Sequence, residues 1–226
     1  MGPGWLACQT ALMRSPLTAV ALTAGLGALL YARLRRPILT WGSTVAEAAS
    51  RLPGDELLED ADDITTRAIG IDAPAADVWP WLAQMGPSPR GGAYTYDWIE
   101  NLLGLNMHSV DRVLEEFQHP AIGETIAFGS NRMRLERFEP ERVLVWRSED
   151  GNWVWTFVLE PHQGGMRLIS RNRFRLPTLA ARVGMVPMEA GSLVMERKML
   201  RGIKQRAERL ASASPEHSGP GVARLR

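Results

Sequence analysis

The 226-residue chain is predicted to fold as an α+β domain, and three observations carry that prediction. Five short stretches rich in strand-forming residues follow one another between residues 124 and 175, each separated from the next by a turn signal. Residues 192–210 repeat apolar side chains at helical spacing through Leu193, Leu200, Ile203, Ala207 and Leu210, with Arg197, Lys198, Arg201, Lys204 and Arg209 elsewhere around the helix. Before the strands lie two short helical segments, each closed by a glycine. Short loops between strands imply an antiparallel meander, and an amphipathic helix must bury its apolar stripe on such a sheet.

In chain order, residues 15–32 (SPLTAVALTAGLGALLYA) carry no charge and stand between Arg14 and the trio Arg33, Arg35 and Arg36. Eighteen residues at ~1.5 Å each are just long enough for one membrane-crossing helix. Residues 1–36 are therefore expected to be an anchor with a basic flank. The arginine excess after the span places the C-terminal domain on the cytoplasmic side of a single-pass protein. A cleaved signal peptide is the competing assignment, although the only A-x-A, at residues 19–21, lies inside the apolar run.

Residues 37–63 contain few apolar side chains after Trp41 and end in acids, so they are expected to be a linker that docks through Trp41. Residues 64–71 (ITTRAIGI) form the first strand. Pro74 and Asp77 mark the start of a helix that runs to about Met85 and stops at Gly86, with Pro80 inside it as a kink. Gly91 and Gly92 allow a sharp turn into a second helix at residues 98–103, where Asp97 and Glu100 have the spacing of a capping box. Strands are expected at residues 124–128, 133–138, 143–147, 152–160 and 166–175. In residues 153–159 the large side chains Trp153, Trp155, Phe157 and Leu159 share one face, which is either core or cavity wall. Residues 212–226, rich in Gly, Pro and Ser, are expected to be a disordered tail.

Charge is unevenly spread. Residues 41–181 carry 13 basic and 21 acidic side chains, whereas residues 1–40 carry four arginines and no acid. An acidic body argues against a nucleic-acid partner. Cys8 stands alone and the four histidines are scattered, so no metal-ligand spacing is present and no metal or cofactor is expected.

The densest aromatic segment is residues 78–108 (VWPWLAQMGPSPRGGAYTYDWIENLLGLNMH). Its VWPWLAQMG and GGAYTYDWIENLLG stretches, with VLEP at residues 158–161 and the order of elements, resemble the SRPBCC superfamily, also called START-like or polyketide cyclase/dehydrase and lipid-transport proteins. The resemblance covers residues 64–211 and looks closest to a branch in which a membrane segment precedes the domain. It implies a helix-grip fold, a curved antiparallel sheet wrapped around the long C-terminal helix with a hydrophobic cavity between them. It does not supply a reaction.

The cavity is expected to be lined by Trp81, Tyr94, Tyr96, Trp98, His108, Met133, Trp153, Trp155, Phe157 and Arg171, and to take a hydrophobic or amphipathic small molecule or lipid without turnover. Two other assignments stay open. A cyclase or dehydratase acting on a polyketide-like or aromatic ketone would use His108 and Tyr96 as acid–base groups and Arg171 to stabilise an enolate. A membrane-tethered protein-interaction module would need no cavity.

Overall fold

The computed structural model describes residues 16–129 and 131–213. Cys8, Arg14 and nearly all of the expected tail lie outside the described residues. The chain divides into two units, residues 1–36 and 37–226.

The first unit holds most of helix α1 (Pro16–Leu39). Leu22, Leu26, Leu29 and Leu30 on it are exposed. The expected transmembrane helix is corrected here: among the described residues no helix is long and apolar enough to cross a membrane. The physical reason is composition, because alanine, glycine and threonine dilute the apolar run and Arg33, Arg35 and Arg36 fall inside the same helix.

In the second unit, six antiparallel strands form one sheet in the order β1-β6-β5-β4-β3-β2. They are β1 (Asp63–Ile71), β2 (Thr125–Phe128), β3 (Asn131–Glu139), β4 (Val143–Ser148), β5 (Trp153–His162) and β6 (Gly165–Phe174). β2 to β6 make the expected meander, and β1 closes onto β6 from Asp63 opposite Phe174 to Ile71 opposite Met166. Helices α3 (Ala75–Ala83, containing Pro80) and α4 (Asp97–Leu102) stand between β1 and β2. Gly92 has φ +77°, and a Cβ there would come within 2.6 Å of the Ser109 backbone, so the turn between these helices requires glycine.

Helix α5 runs from Leu179 to Ala213, longer than the stretch from 192 expected from its apolar stripe. Pro187 and two glycines argued against helix before Ser192, but alanine, leucine and methionine hold the conformation. Its apolar contacts with the core come from the second half, through Met199, Leu200, Ile203, Ala207 and Ala211, while Glu189 is buried in the first. In the first half Leu179, Val183 and Met188 remain exposed.

Residues 37–63 are not a bare linker. Helix α2 (Val45–Ala49) and a 3₁₀ turn (Asp55–Leu58) form a strap across the outer face of the sheet, the face turned away from α5. Leu52 packs with Ala68, Val158 and Ile169, and Leu58 with Val143, Val145 and Val154. Gly54, at φ +92°, lets the strap lie so close that a Cβ would meet Thr156 and Val145 at 2.8 Å. A capping box starts α2, with Glu47 N donating to Thr44 Oγ1 at 3.1 Å and Thr44 N to the Glu47 carboxylate at 2.6 Å. Trp41 docks as expected, under Arg197 at 5.3 Å and Arg201 at 5.7 Å from its ring centre.

Candidate functional site

The inner face of β5 and β6 carries a row of aromatic rings. Alternation along β5 points Trp153, Trp155, Phe157 and Leu159 inward, while Val154 and Val158 pack under the strap. Trp153 lies opposite Phe174 in the ladder, and their rings stack at 5.7 Å and 25°. Trp153 and Trp155 stack at 5.8 Å and 21°, and Phe128 of β2 meets both edge-on at 6.3 and 6.1 Å. Phe157 is fully buried, Trp155 is 8% exposed, and Trp153, Phe174 and Phe128 are half-buried. The result is a flat aromatic shelf whose inner end is core and whose outer end reaches solvent.

A polar network fixes the shelf. Trp155 Nε1 donates to Ser170 Oγ at 3.0 Å, and the Ser170 hydroxyl donates to Glu196 Oε1 on α5. Trp153 Nε1 donates to Asn172 Oδ1 at 2.9 Å, and Asn172 Nδ2 lies 3.4 Å from both Thr65 Oγ1 and Glu196 Oε1. The other Glu196 oxygen accepts from Arg67 Nη1 of β1. Arg67 is fully buried and spends its remaining donors on Ile38 O and Ser192 Oγ, at 3.0–3.2 Å. Both indole N–H groups are thus held, which sets the ring planes.

The expected site residues do not all come together. Trp153, Trp155 and Phe157 form the shelf, and Met133 is fully buried in the same core. Trp81 and Tyr94 belong to the same buried cluster, edge to face at 6.0 Å, with Tyr94 Oη donating to Trp81 O at 3.0 Å. Burial raises the Tyr94 phenol well above its ordinary pKa, which keeps it neutral. Tyr96 and Trp98 are 38% and 70% exposed, and His108 is exposed. They line no interior wall: Trp98 stands on the outside of α4, Tyr96 caps its start and His108 lies in the segment after it, all three exposed.

Arg171 is corrected most plainly. It faces the outer side of the sheet, donating to Asp55 Oδ2 and Ser50 O at 2.7 Å, Thr66 Oγ1 at 2.9 Å and Glu47 O at 2.8 Å. Arg173 beside it donates to Leu58 O and Glu59 O at 2.9 and 3.0 Å. These guanidiniums hold the strap. Arg167 pairs with Glu47 at 2.7 Å, and that hydrogen bond holds the Glu47 carboxyl down to about 2.

The capping box expected at Asp97 and Glu100 is absent, since the α4 cap has no side-chain bond. Asp97 instead accepts from Ser109 N at 2.7 Å and Ser109 Oγ at 2.6 Å, tying down the segment after α4. Glu100 is 7% exposed, Oε2 has no hydrogen-bond partner among the described residues, and burial raises its pKa, with the Asp97 charge adding to the shift.

Arg67, Ser170, Asn172, Glu196, Phe128 and Phe174 were missed from the sequence. Signals existed: Arg67 alternates with Ile69 and Ile71, Ser170 and Asn172 alternate with Leu168 and Phe174, and Glu196 lies four residues before Leu200 and seven before Ile203 on the apolar stripe. Polar residues in phase with a buried face have to be paired across it.

No protein-family profile matches the chain, and no curated protein matches it. Solved structures of similar outline include a Polyketide_cyc-like protein from Corynebacterium glutamicum, with TM-score 0.40 and 15% identity over 69% of this chain and 96% of that one. Protein CV1439 from Chromobacterium violaceum gives 0.43 and 16% over 65% and 98%. An AHSA1-like protein from Aeromonas hydrophila gives 0.37 and 16% over 66% and 94%. At these identities none of them assigns a role to a residue here. By its strand order and the long helix packed on its sheet, the chain has the helix-grip architecture expected from the sequence.

Proposed function

We propose that the domain binds a flat, apolar or amphipathic small molecule against the shelf of Phe174, Trp153 and Trp155, as a carrier or receptor without turnover. One observation carries this: three stacked rings, their indoles locked by Asn172 and Ser170, end in two rings that remain half-exposed. A purely structural stack has no reason to leave Trp153 and Phe174 open to water, since their complete burial would add about 1–2 kcal/mol each.

Calorimetric titration with the neutral probe N-phenyl-1-naphthylamine tests it. One saturable site is expected, weakened about tenfold in Trp153→Ala through lost stacking and contact area. Equal affinity in wild type and variant would overturn the proposal. The cyclase assignment finds less support, because Arg171 is committed to the strap on the far side of the sheet from the shelf and cannot serve an enolate there.

A further inference from the structure

We infer a second, independent binding site, for a small carboxylate with an apolar body, between the 110–113 loop and the last turns of α5. A cavity of about 310 Å³ lies there, at the small end of ligand cavities. Trp81 contributes its wall; the side chain is 3% exposed, yet Nε1 is buried with no hydrogen-bond partner among the described residues.

The charge around the cavity selects the chemistry of the ligand. Arg112, Arg206 and Arg209 line it against the single carboxylate of Asp111. Arg206 is spent: Nε donates to Val110 O at 2.9 Å, Nη1 to Gly202 O at 3.2 Å, and Nη2 pairs with Asp111 at 2.9 Å while the guanidinium covers the Tyr94 ring at 4.6 Å. Arg209 touches the same Asp111 oxygen at 3.0 Å from one nitrogen, and its side chain is 64% exposed. One carboxylate shared by two guanidiniums, with Arg112 beside them, leaves excess positive charge at the mouth. Val113 and Leu210 supply apolar wall. A carboxylate at Arg209 and Arg112, with an apolar ring over Val113, Leu210 and the Trp81 side chain, matches both the charge and the apolar wall of the cavity.

The test uses 1-naphthoate as probe and 1-naphthylmethylamine as its cationic counterpart, read by the indole ¹H–¹⁵N resonances and by calorimetry on the full chain. Naphthoate is expected to shift the Trp81 indole resonance saturably and the amine to leave it in place. Arg209→Gln with Arg112→Gln should weaken naphthoate about tenfold, whereas Asp111→Asn, which removes the competing carboxylate, should tighten it severalfold. Trp153→Ala should leave the Trp81 response intact, which separates this site from the shelf. Equal binding of amine and naphthoate, an unmoved Trp81 resonance, or an Asp111→Asn variant that binds more weakly would overturn the assignment.

Discussion

The two faces of the sheet solve the same electrostatic problem with different outcomes. Each buries an arginine against a carboxylate: Arg171 with Asp55 on the outer face, Arg67 with Glu196 on the inner. On the outer face the remaining donors of Arg171 go to Thr66 Oγ1 and to backbone carbonyls of the strap, and aliphatic side chains seal the surface around it. On the inner face the acid takes the wider role. Glu196 receives Ser170 and Asn172, and through them the two indoles of a shelf that stays partly open. A buried ion pair is weak evidence for stability by itself. What surrounds the pair decides whether it serves as a latch or as the frame of a site.

The largest effects come from breaking the pairs. Arg171→Met leaves buried Asp55 with only the longer Arg173 contact at 3.4 Å, and Arg67→Met takes the guanidinium from buried Glu196; each is expected to cost about 3–5 kcal/mol in urea denaturation. They should part company in ligand binding. Arg171→Met lowers stability and leaves N-phenyl-1-naphthylamine affinity unchanged, while Arg67→Met lowers both, because freeing Glu196 loosens Ser170 and Trp155. Matching affinity losses in the two variants would erase the distinction between the faces.

Next in size is Trp153→Ala, expected to cost about 2 kcal/mol of stability because the ring is only half-buried, together with the tenfold loss of probe affinity. Thr44→Ala removes the capping box of α2 and should cost about 1 kcal/mol, with no change at the shelf. That pairing of outcomes sharpens the contrast from the outer side.

The smallest effects are pH-dependent and have opposite signs. Glu47 is held at about 2 against an ordinary value of 4.5, so its contribution is present above pH ~4.5 and fades as pH falls toward 2. Glu47→Gln should therefore flatten the urea midpoint across that window. Glu100 is raised by burial, so its contribution is present below its ordinary pKa and is lost as pH rises through the shifted value. Glu100→Gln should be the more stable form at neutral pH, an advantage that disappears in acid.

Much of this architecture was legible in the chain because periodicity reports burial. The alternation of Trp153, Trp155, Phe157 and Leu159 placed four side chains on the inner face, and the helical stripe of Leu200, Ile203 and Ala207 named the face of α5 that meets them. The strap was not legible, since its apolar anchors Leu52 and Leu58 are too few to form a period, and its other contacts run from the arginines of β6 to backbone carbonyls. The expected place of Arg171 in the cavity fails for the same reason: nothing local reveals a carbonyl cluster more than a hundred residues away in sequence. Asp97 had the spacing of a cap but found Ser109, a tertiary partner that outcompeted the local one. The aromatic segment around Trp81 and Tyr96 misled by density. Its rings divide between a buried corner and the exposed outside of α4, and the shelf lies on β5 instead.

The central claim is that the shelf is a binding surface, and the indole ¹H–¹⁵N resonances test it most directly. With N-phenyl-1-naphthylamine added to the full chain, the Trp153 and Trp155 indole resonances are predicted to shift together and saturably, in step with the calorimetric isotherm, while the Trp81 resonance stays in place. Saturable binding that leaves Trp153 and Trp155 unmoved, or no binding at all, would contradict the account.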